Sequence, residues 1–188
     1  MCIRDSVKTE LAQGGPVEAS LAGHFTALDA AVGATPGSLG ETSALLLILG
    51  GLFLLFRRII SWHIPAAMLG TVAVLATVFH MIDPGRYAGA QVHLLSGGLL
   101  MAALFIATDP VGSPATGRGK LIFGIGCGAL IYIIRVWGGY PEGVAFAVLL
   151  MNALTPIIDH YLRPRIYGRE RGGAPLEYMP PQKTEERP

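Results

Sequence analysis

The chain has 188 residues, of which 52% are hydrophobic and 14% are charged, whereas soluble domains carry about 25% charged residues. The formal net charge of +1 gives no indication of nucleic-acid binding, which depends on an excess of basic residues. The two cysteines, Cys2 and Cys127, are too few for a disulfide framework or a cysteine-rich metal cluster. The composition therefore predicts a multi-spanning membrane protein.

The first residues, 1–6 (MCIRDS), do not fit the rest of the chain. They lack the apolar stretch and small-residue cleavage site of a signal peptide, and they resemble translated adapter sequence. We expect them to be a sequencing artefact, so that the homologous sequence begins near Val7 and the natural protein extends further upstream.

Five apolar stretches come next, separated by loops that carry Gly, Pro and charge, and each is predicted to be a membrane helix. They span residues 39–56, 59–82, 92–107, 121–137 and 144–158. The predicted fold is all-α: a polytopic bundle of about five transmembrane helices, formed by residues 39–162.

Basic residues are distributed unevenly between alternate loops of this bundle. Arg86 and Arg135 fall on one side. The other side holds Arg57, Arg58, Arg118, Lys120, Arg163, Arg165, Arg169 and Arg171. Because cytoplasmic loops are rich in Lys and Arg, we predict a cytoplasmic C-terminus. Residues 7–38 are then extracytoplasmic, and residues 163–188, rich in Pro and charge, form a largely disordered cytoplasmic tail.

Ionisable side chains avoid the centres of the predicted helices. All 13 carboxylates, including Asp83 and Asp159, lie in loops, tails or helix ends. No helix centre therefore offers the acid that a proton-coupled or sodium-coupled carrier needs. The histidines are not paired with another ligand at helical spacing, so no metal site is predicted.

Glycines form small-residue patches in the predicted helices. Gly124 and Gly128 are a small-xxx-small pair, and 50–51 and 97–98 are further patches. Small residues let membrane helices approach closely, so we predict that these glycines pack helix against helix. The alternative is that a cofactor lies against a glycine surface.

Residues Ser38 to Glu41 fit a capping box, which predicts that the first helix begins at Leu39. In a second interpretation, the amides of this helix start and the neighbouring Thr42 contact a flavin phosphate. Glu41 opposes that contact, since its charge would repel an anion.

The loop at 138–143 has a similar pattern on the same predicted outer face. Pro141 suits the first turn of the last helix, and Glu142 favours the positive end of the helix dipole. A turn explains this loop. The alternative is that Arg135 and Tyr140 supply charge and stacking to a flavin.

The segment 108–114 lies on the opposite face. Its prolines predict an extended turn, in which Asp109 bonds local backbone amides. The alternative is that Thr108 and Asp109 contact a cofactor or a quinone.

Several of these motifs, taken in order along residues 7–168, resemble the D subunit of the Rnf-type ion-translocating electron-transport complex. The B subunit of the sodium-translocating NADH:quinone reductase is a more distant resemblance. The motifs are Gly37 to Ser43, Arg58 to Pro65, Leu95 to Gly98, Ala107 to Val111, and Gly138 through Asn152 to Asp159.

The resemblance implies the C-terminal half of a multi-pass protein of the bacterial inner membrane, built of two five-helix halves, with FMN esterified to a threonine on the outer face. A second, non-covalent flavin such as riboflavin is also implied. The partners would be the other subunits of a complex that passes electrons between ferredoxin and NAD and moves Na⁺ or H⁺. We do not expect these residues alone to be active. The interpretation left open beside this one is a cofactor-free membrane protein, either a structural subunit or a small-molecule carrier.

The resemblance also bears on Thr35, which stands in a segment similar to the family's flavin-attachment motif. Val32 occupies a position where that motif has Ser or Thr, and no spacer separates Thr35 from the predicted helix start. Lys8-Thr9 looks like the pair that comes after the true motif. We therefore expect the flavin threonine upstream of Val7, with Thr35 as the second candidate.

Overall fold

The computed structural model describes residues 32–33, 43–95, 98–138 and 143–162. Every regular element within these ranges is helical. In chain order they are α1 (Ala44–Phe56), α2 (His63–Ile82), α3 (Ala90–Leu95), α4 (Leu99–Met101), a π-helical segment (Ala102–Ile106), α5 (Gly117–Trp137) and α6 (Val144–Tyr161). Three of them, α2, α5 and α6, are long and apolar enough to cross a membrane. The predicted all-α polytopic membrane fold is confirmed.

The first helix begins later than its predicted start at Leu39. Ser43 has an extended backbone, and its hydroxyl accepts a hydrogen bond from the amide of Leu46 at 3.4 Å, which makes it the N-cap of α1. The 13 residues of α1 span about 20 Å, which is less than the thickness of about 30 Å of the hydrocarbon core. The predicted capping box at 38–41 lies outside the described residues.

The tightest packing in the bundle joins α2 to α5, and it depends on glycines. A Cβ atom at Gly124 would lie 2.9 Å from the carbonyl oxygen of Ile64, and one at Gly128 would lie 2.7 Å from that of Met68. Neither position has room for a side chain, so the prediction that these glycines pack helices is confirmed. Around them lies a core that includes Met68, Val72, Phe123, Cys127 and Ile131.

The predicted helix at 92–107 is wrong as a single element. The structure has α3, a break that includes Gly98, then α4 and the π-helical segment. Glycine disfavours a continuous helix, and a π-helical turn widens the backbone spacing to i→i+5 bonds. Leu104 and Phe105 of the π-helical segment pack against Gly51 and Gly50 of α1, which confirms the second glycine patch.

The remaining predicted bounds differ by a few residues. Residues 57–60 form a turn in which Arg58 has a φ of +56°, so α2 begins at His63 rather than at 59. Helix α5, predicted at 121–137, begins four residues earlier, at Gly117. Thr116 caps it by accepting a hydrogen bond from the amide of Gly119 at 3.1 Å.

The helices have a basic end and an opposite end. His63, the first residue of α2, lies against Gly117, the first residue of α5: a Cβ there would be 3.3 Å from His63 Nε2. We call this the basic end because Arg57, Arg58, Arg118 and Lys120 belong to it. The last residue of α5, Trp137, lies at the opposite end.

Candidate functional site

Aromatic rings of α2, α3, α5 and the stretch between α2 and α3 lie together at the opposite end. Phe79 of α2 lies 5.6 Å from Tyr132 and 5.3 Å from Trp137, measured between ring centroids. Tyr87 lies 5.4 Å from Phe79, and His93 lies 5.4 Å from Tyr132. These spacings are typical of favourable aromatic pairs. We call these five residues the aromatic cluster.

Arg135 lies beside this cluster and is buried. Only 2% of its surface is exposed, and its Nη1 donates a hydrogen bond to the backbone carbonyl of His93 at 2.7 Å. That carbonyl belongs to the last turn of α3, where helix carbonyls lack partners within the helix and carry negative partial charge. Arg135 lies in α5, as the predicted helix at 121–137 implies, and it joins α5 to the last turn of α3.

Tyr132 is enclosed completely, and its hydroxyl has no hydrogen-bond partner among the residues that the structure describes. A buried polar group without a partner costs about 1–3 kcal/mol. The sequence analysis did not predict that Tyr132 belongs to this cluster. The signal that could have indicated it is the position of Tyr132 in the same helix as Trp137, near the end of the bundle where Phe79 and Tyr87 also lie.

Thr108 and Asp109 lie towards the basic end, away from Arg135. The hydroxyl of Thr108 donates to the carbonyl of Leu104 at 2.9 Å, and a carboxylate oxygen of Asp109 accepts the amide of Gly112 at 3.2 Å. These bonds form the local turn that the prolines predicted. A cofactor role for either residue stays a prediction.

Helix α6 holds the rest of this loop. Thr155 donates to the carbonyl of Gly112 at 2.9 Å, and Asp159 accepts the amide of Ala115 at 3.1 Å. The loop backbone is thereby hydrogen-bonded to protein, which irregular backbone near a membrane requires.

Two cavities accompany these features. One, of about 280 Å³, lies between the π-helical segment and α6, and its lining is apolar apart from Asn152. The other, of about 530 Å³, lies at the basic end and includes His63 and Arg118 in its lining. Within the described ranges, no three or more His, Cys, Asp or Glu side chains come together as metal ligands.

The other predicted site residues lie outside the described residues. They are Thr35, Ser38, Glu41, Thr42, Tyr140 and Glu142. The structure therefore locates three of the candidates, and it does not bring them together: Arg135 is at the opposite end, and Thr108 and Asp109 are towards the basic end.

Apolar membrane-length helices, glycine-mediated packing and a helix broken inside the bundle define a polytopic membrane protein of the all-α class. The chain matches the family described as NQR2, RnfD, RnfE over residues 5–168. It therefore belongs to this family.

Relatives named as the D subunit of an ion-translocating oxidoreductase complex are similar over most of the chain. The protein from Halorhodospira halophila is 56% identical over 92% of this chain and 48% of its own length. That from Stutzerimonas stutzeri is 58% identical over 90% of this chain and 48% of its own length. That from Vibrio atlanticus is 44% identical over 87% of this chain and 45% of its own length. The chain spans about half the length of these relatives.

Proposed function

We propose that the chain is the C-terminal half of the D subunit of an ion-translocating oxidoreductase complex. The observation that carries this proposal is identity of 56% and 58% over nine-tenths of the chain to two proteins with that name. In this proposal the complex passes electrons between ferredoxin and NAD and moves Na⁺ or H⁺, and its other subunits are the partners of this one.

We further propose that the complete subunit carries FMN on a threonine, with a second flavin such as riboflavin as an additional cofactor. The chemical character of the opposite end suits a flavin. Trp137 has 54% of its surface exposed, which leaves its ring available for stacking. Arg135 adds a positive charge in the same last turn of α5.

When bound, the flavin supplies the electron-transfer chemistry. The residues of this chain bind and orient. Trp137 and the rest of the aromatic cluster form an apolar wall, and Arg135 fixes α3 against α5 through the carbonyl of His93. A fixed wall matters because electron transfer depends on the position of the cofactor. No general acid, base or nucleophile is assigned to the described residues.

Covalent flavin in the complete subunit tests this proposal. The full-length parent is expressed with its flavin transferase, and denaturing gels are inspected for fluorescence. We expect a fluorescent band, because an ester bond survives denaturation. Mutation of a threonine upstream of Val7 is expected to abolish it, whereas Thr35→Ala is expected to leave it unchanged.

The same gel distinguishes a flavin-carrying subunit from the alternative, a cofactor-free structural subunit or small-molecule carrier. A band that is absent from the wild-type parent contradicts the flavin role and leaves the alternative. A band that disappears in Thr35→Ala contradicts only the upstream position of the ester, since the subunit would still carry covalent flavin.

A further inference from the structure

The cavity at the basic end has both a polar and an apolar lining. His63, Thr116 and Arg118 contribute polar groups, and Leu121 and Leu162 contribute apolar ones. Tyr161, with 81% of its surface exposed, stands at its edge. A volume of about 530 Å³ accommodates a small polar group with part of an apolar chain.

The electrostatic character of this cavity is positive. Arg118 is exposed, and neither α2 nor α5 has an acidic residue in its first turn. The carboxylate nearest along α6 is Asp159, and it accepts the amide of Ala115. The cavity therefore has the sign that an anion requires, and the starts of two long helices at the same place reinforce it.

His63 is a further polar residue of the lining. Its Nδ1 atom is buried and has no hydrogen-bond partner within the described part of the chain, and its ring stacks on Trp62 with centroids 4.4 Å apart. The other nitrogen, Nε2, lies on the side of Gly117, which also lines the cavity. In the tautomer that carries its proton on Nε2, the ring presents a donor N–H to this cavity.

We propose that the cavity binds a phosphate group. Arg118 supplies the charge-assisted contact, and His63 Nε2 and the first amides of α5 supply further donors. Thr116 bonds the amide of Gly119, so the amides of Gly117 and Arg118 remain for the ligand. Leu121 and Leu162 would lie along an attached apolar chain, as in a phospholipid. The proposal is independent of the flavin role.

Ligand-induced thermal stabilisation of the purified full-length subunit in detergent tests the site. Three probes are titrated: dioctanoyl phosphatidylglycerol, inorganic phosphate, and dioctanoylglycerol, which has the acyl chains without phosphate. Binding to the folded state raises the melting temperature by an amount that increases with the logarithm of the ratio of ligand concentration to Kd. We expect stabilisation by phosphatidylglycerol and none by dioctanoylglycerol.

Variants assign the effect to this cavity. Arg118→Gln removes the lining charge and is expected to weaken binding about tenfold, the order expected for a charge-assisted hydrogen bond. Arg57→Gln is the matched control, because Arg57 is an exposed cation of the same end that does not line the cavity. It is expected to change affinity less than about twofold. His63→Phe, which keeps an aromatic ring beside Trp62, is expected to weaken binding as Arg118→Gln does.

The three probes also identify the source of the phosphate. Binding of phosphatidylglycerol alone, with this pattern of variants, supports a lipid headgroup, whereas equal stabilisation by inorganic phosphate supports a soluble phosphate compound. The proposal is overturned if neither phosphate probe stabilises the protein. It is also overturned if Arg57→Gln weakens binding as much as Arg118→Gln and His63→Phe do.

Discussion

Arg135 is a cation enclosed within a membrane helix bundle, and burial of a charge is costly unless hydrogen bonds compensate it. Its bond to the carbonyl of His93 offers such compensation and joins α5 to α3. We predict that Arg135→Ala lowers the free energy of unfolding by about 1.5–3 kcal/mol, the usual contribution of a charged hydrogen bond. Denaturation of the purified subunit measures this, with the exposed Arg86→Ala as the control. Equal effects of the two variants would contradict a role for the buried bond.

Tyr132 poses the reverse question, since its hydroxyl is buried without a partner among the described residues while its ring packs on Phe79 and His93. We predict that Tyr132→Phe leaves the free energy of unfolding unchanged or raises it by up to about 1–2 kcal/mol, because it removes an unsatisfied group. Tyr132→Ala is expected to cost about 3–5 kcal/mol through the lost ring. A loss of more than about 1 kcal/mol in Tyr132→Phe would mean that the hydroxyl bonds a group within the complete subunit.

At the scale of elements, the contact between α2 and α5 depends on the absence of side chains at two glycines. We predict that Gly128→Ala lowers the free energy of unfolding by about 1–3 kcal/mol, because its Cβ would lie 2.7 Å from the carbonyl oxygen of Met68. Gly70→Ala is the matched control, since a Cβ at Gly70 meets nothing within 4 Å. It is expected to be neutral or stabilising, because alanine favours the helix. Thermal unfolding of the two variants, measured side by side, would refute this if they lost equal stability.

The loop before α5 is held by α6, and Thr155 makes one of the connecting bonds. We predict that Thr155→Val accelerates hydrogen exchange of the amides at 109–115 about fivefold, the factor that corresponds to a net hydrogen bond of about 1 kcal/mol. Thr77→Val is the control, because Thr77 is exposed and its hydroxyl bonds only the carbonyl of Ala73 in its own helix. Unchanged exchange in Thr155→Val would show that this bond does not hold the loop.

The sequence predicted the type of these elements better than their ends and interruptions. Apolar length sufficed for α2, α5 and α6, and small-residue spacing sufficed for the contact at Gly124 and Gly128. The two interruptions of the predicted helix at 92–107 were missed because hydropathy is continuous through them, whereas the backbone departs from the α-helix at Gly98 and again in the π-helical segment. The helix that holds Arg135 was predicted, but its partner was not, because a position near a helix end does not reveal a carbonyl 42 residues earlier in the chain.

At the scale of the whole molecule, several helices have apolar faces that the described part of the chain leaves exposed. Leu46, Leu49 and Phe53 of α1 are each more than half exposed, and Leu149 of α6 is 72% exposed. In a membrane, such apolar surfaces are covered either by lipid acyl chains or by other protein helices. Because the chain spans about half of its relatives, we expect the remaining half of the subunit to cover part of them.

Orientation in the membrane is a property of the whole molecule, and the difference between the two ends predicts it. If basic residues remain on the cytoplasmic side, Arg118 faces the cytoplasm and Arg86 faces outward. Single-cysteine variants Arg118→Cys and Arg86→Cys test this in a Cys2→Ser background, since Cys127 is fully buried. In intact cells, we expect a membrane-impermeant maleimide to label Arg86→Cys and to label Arg118→Cys only after permeabilisation. The inverse pattern would place the phosphate-binding cavity outside and the aromatic cluster in the cytoplasm, which would exclude an outward-facing flavin at that cluster.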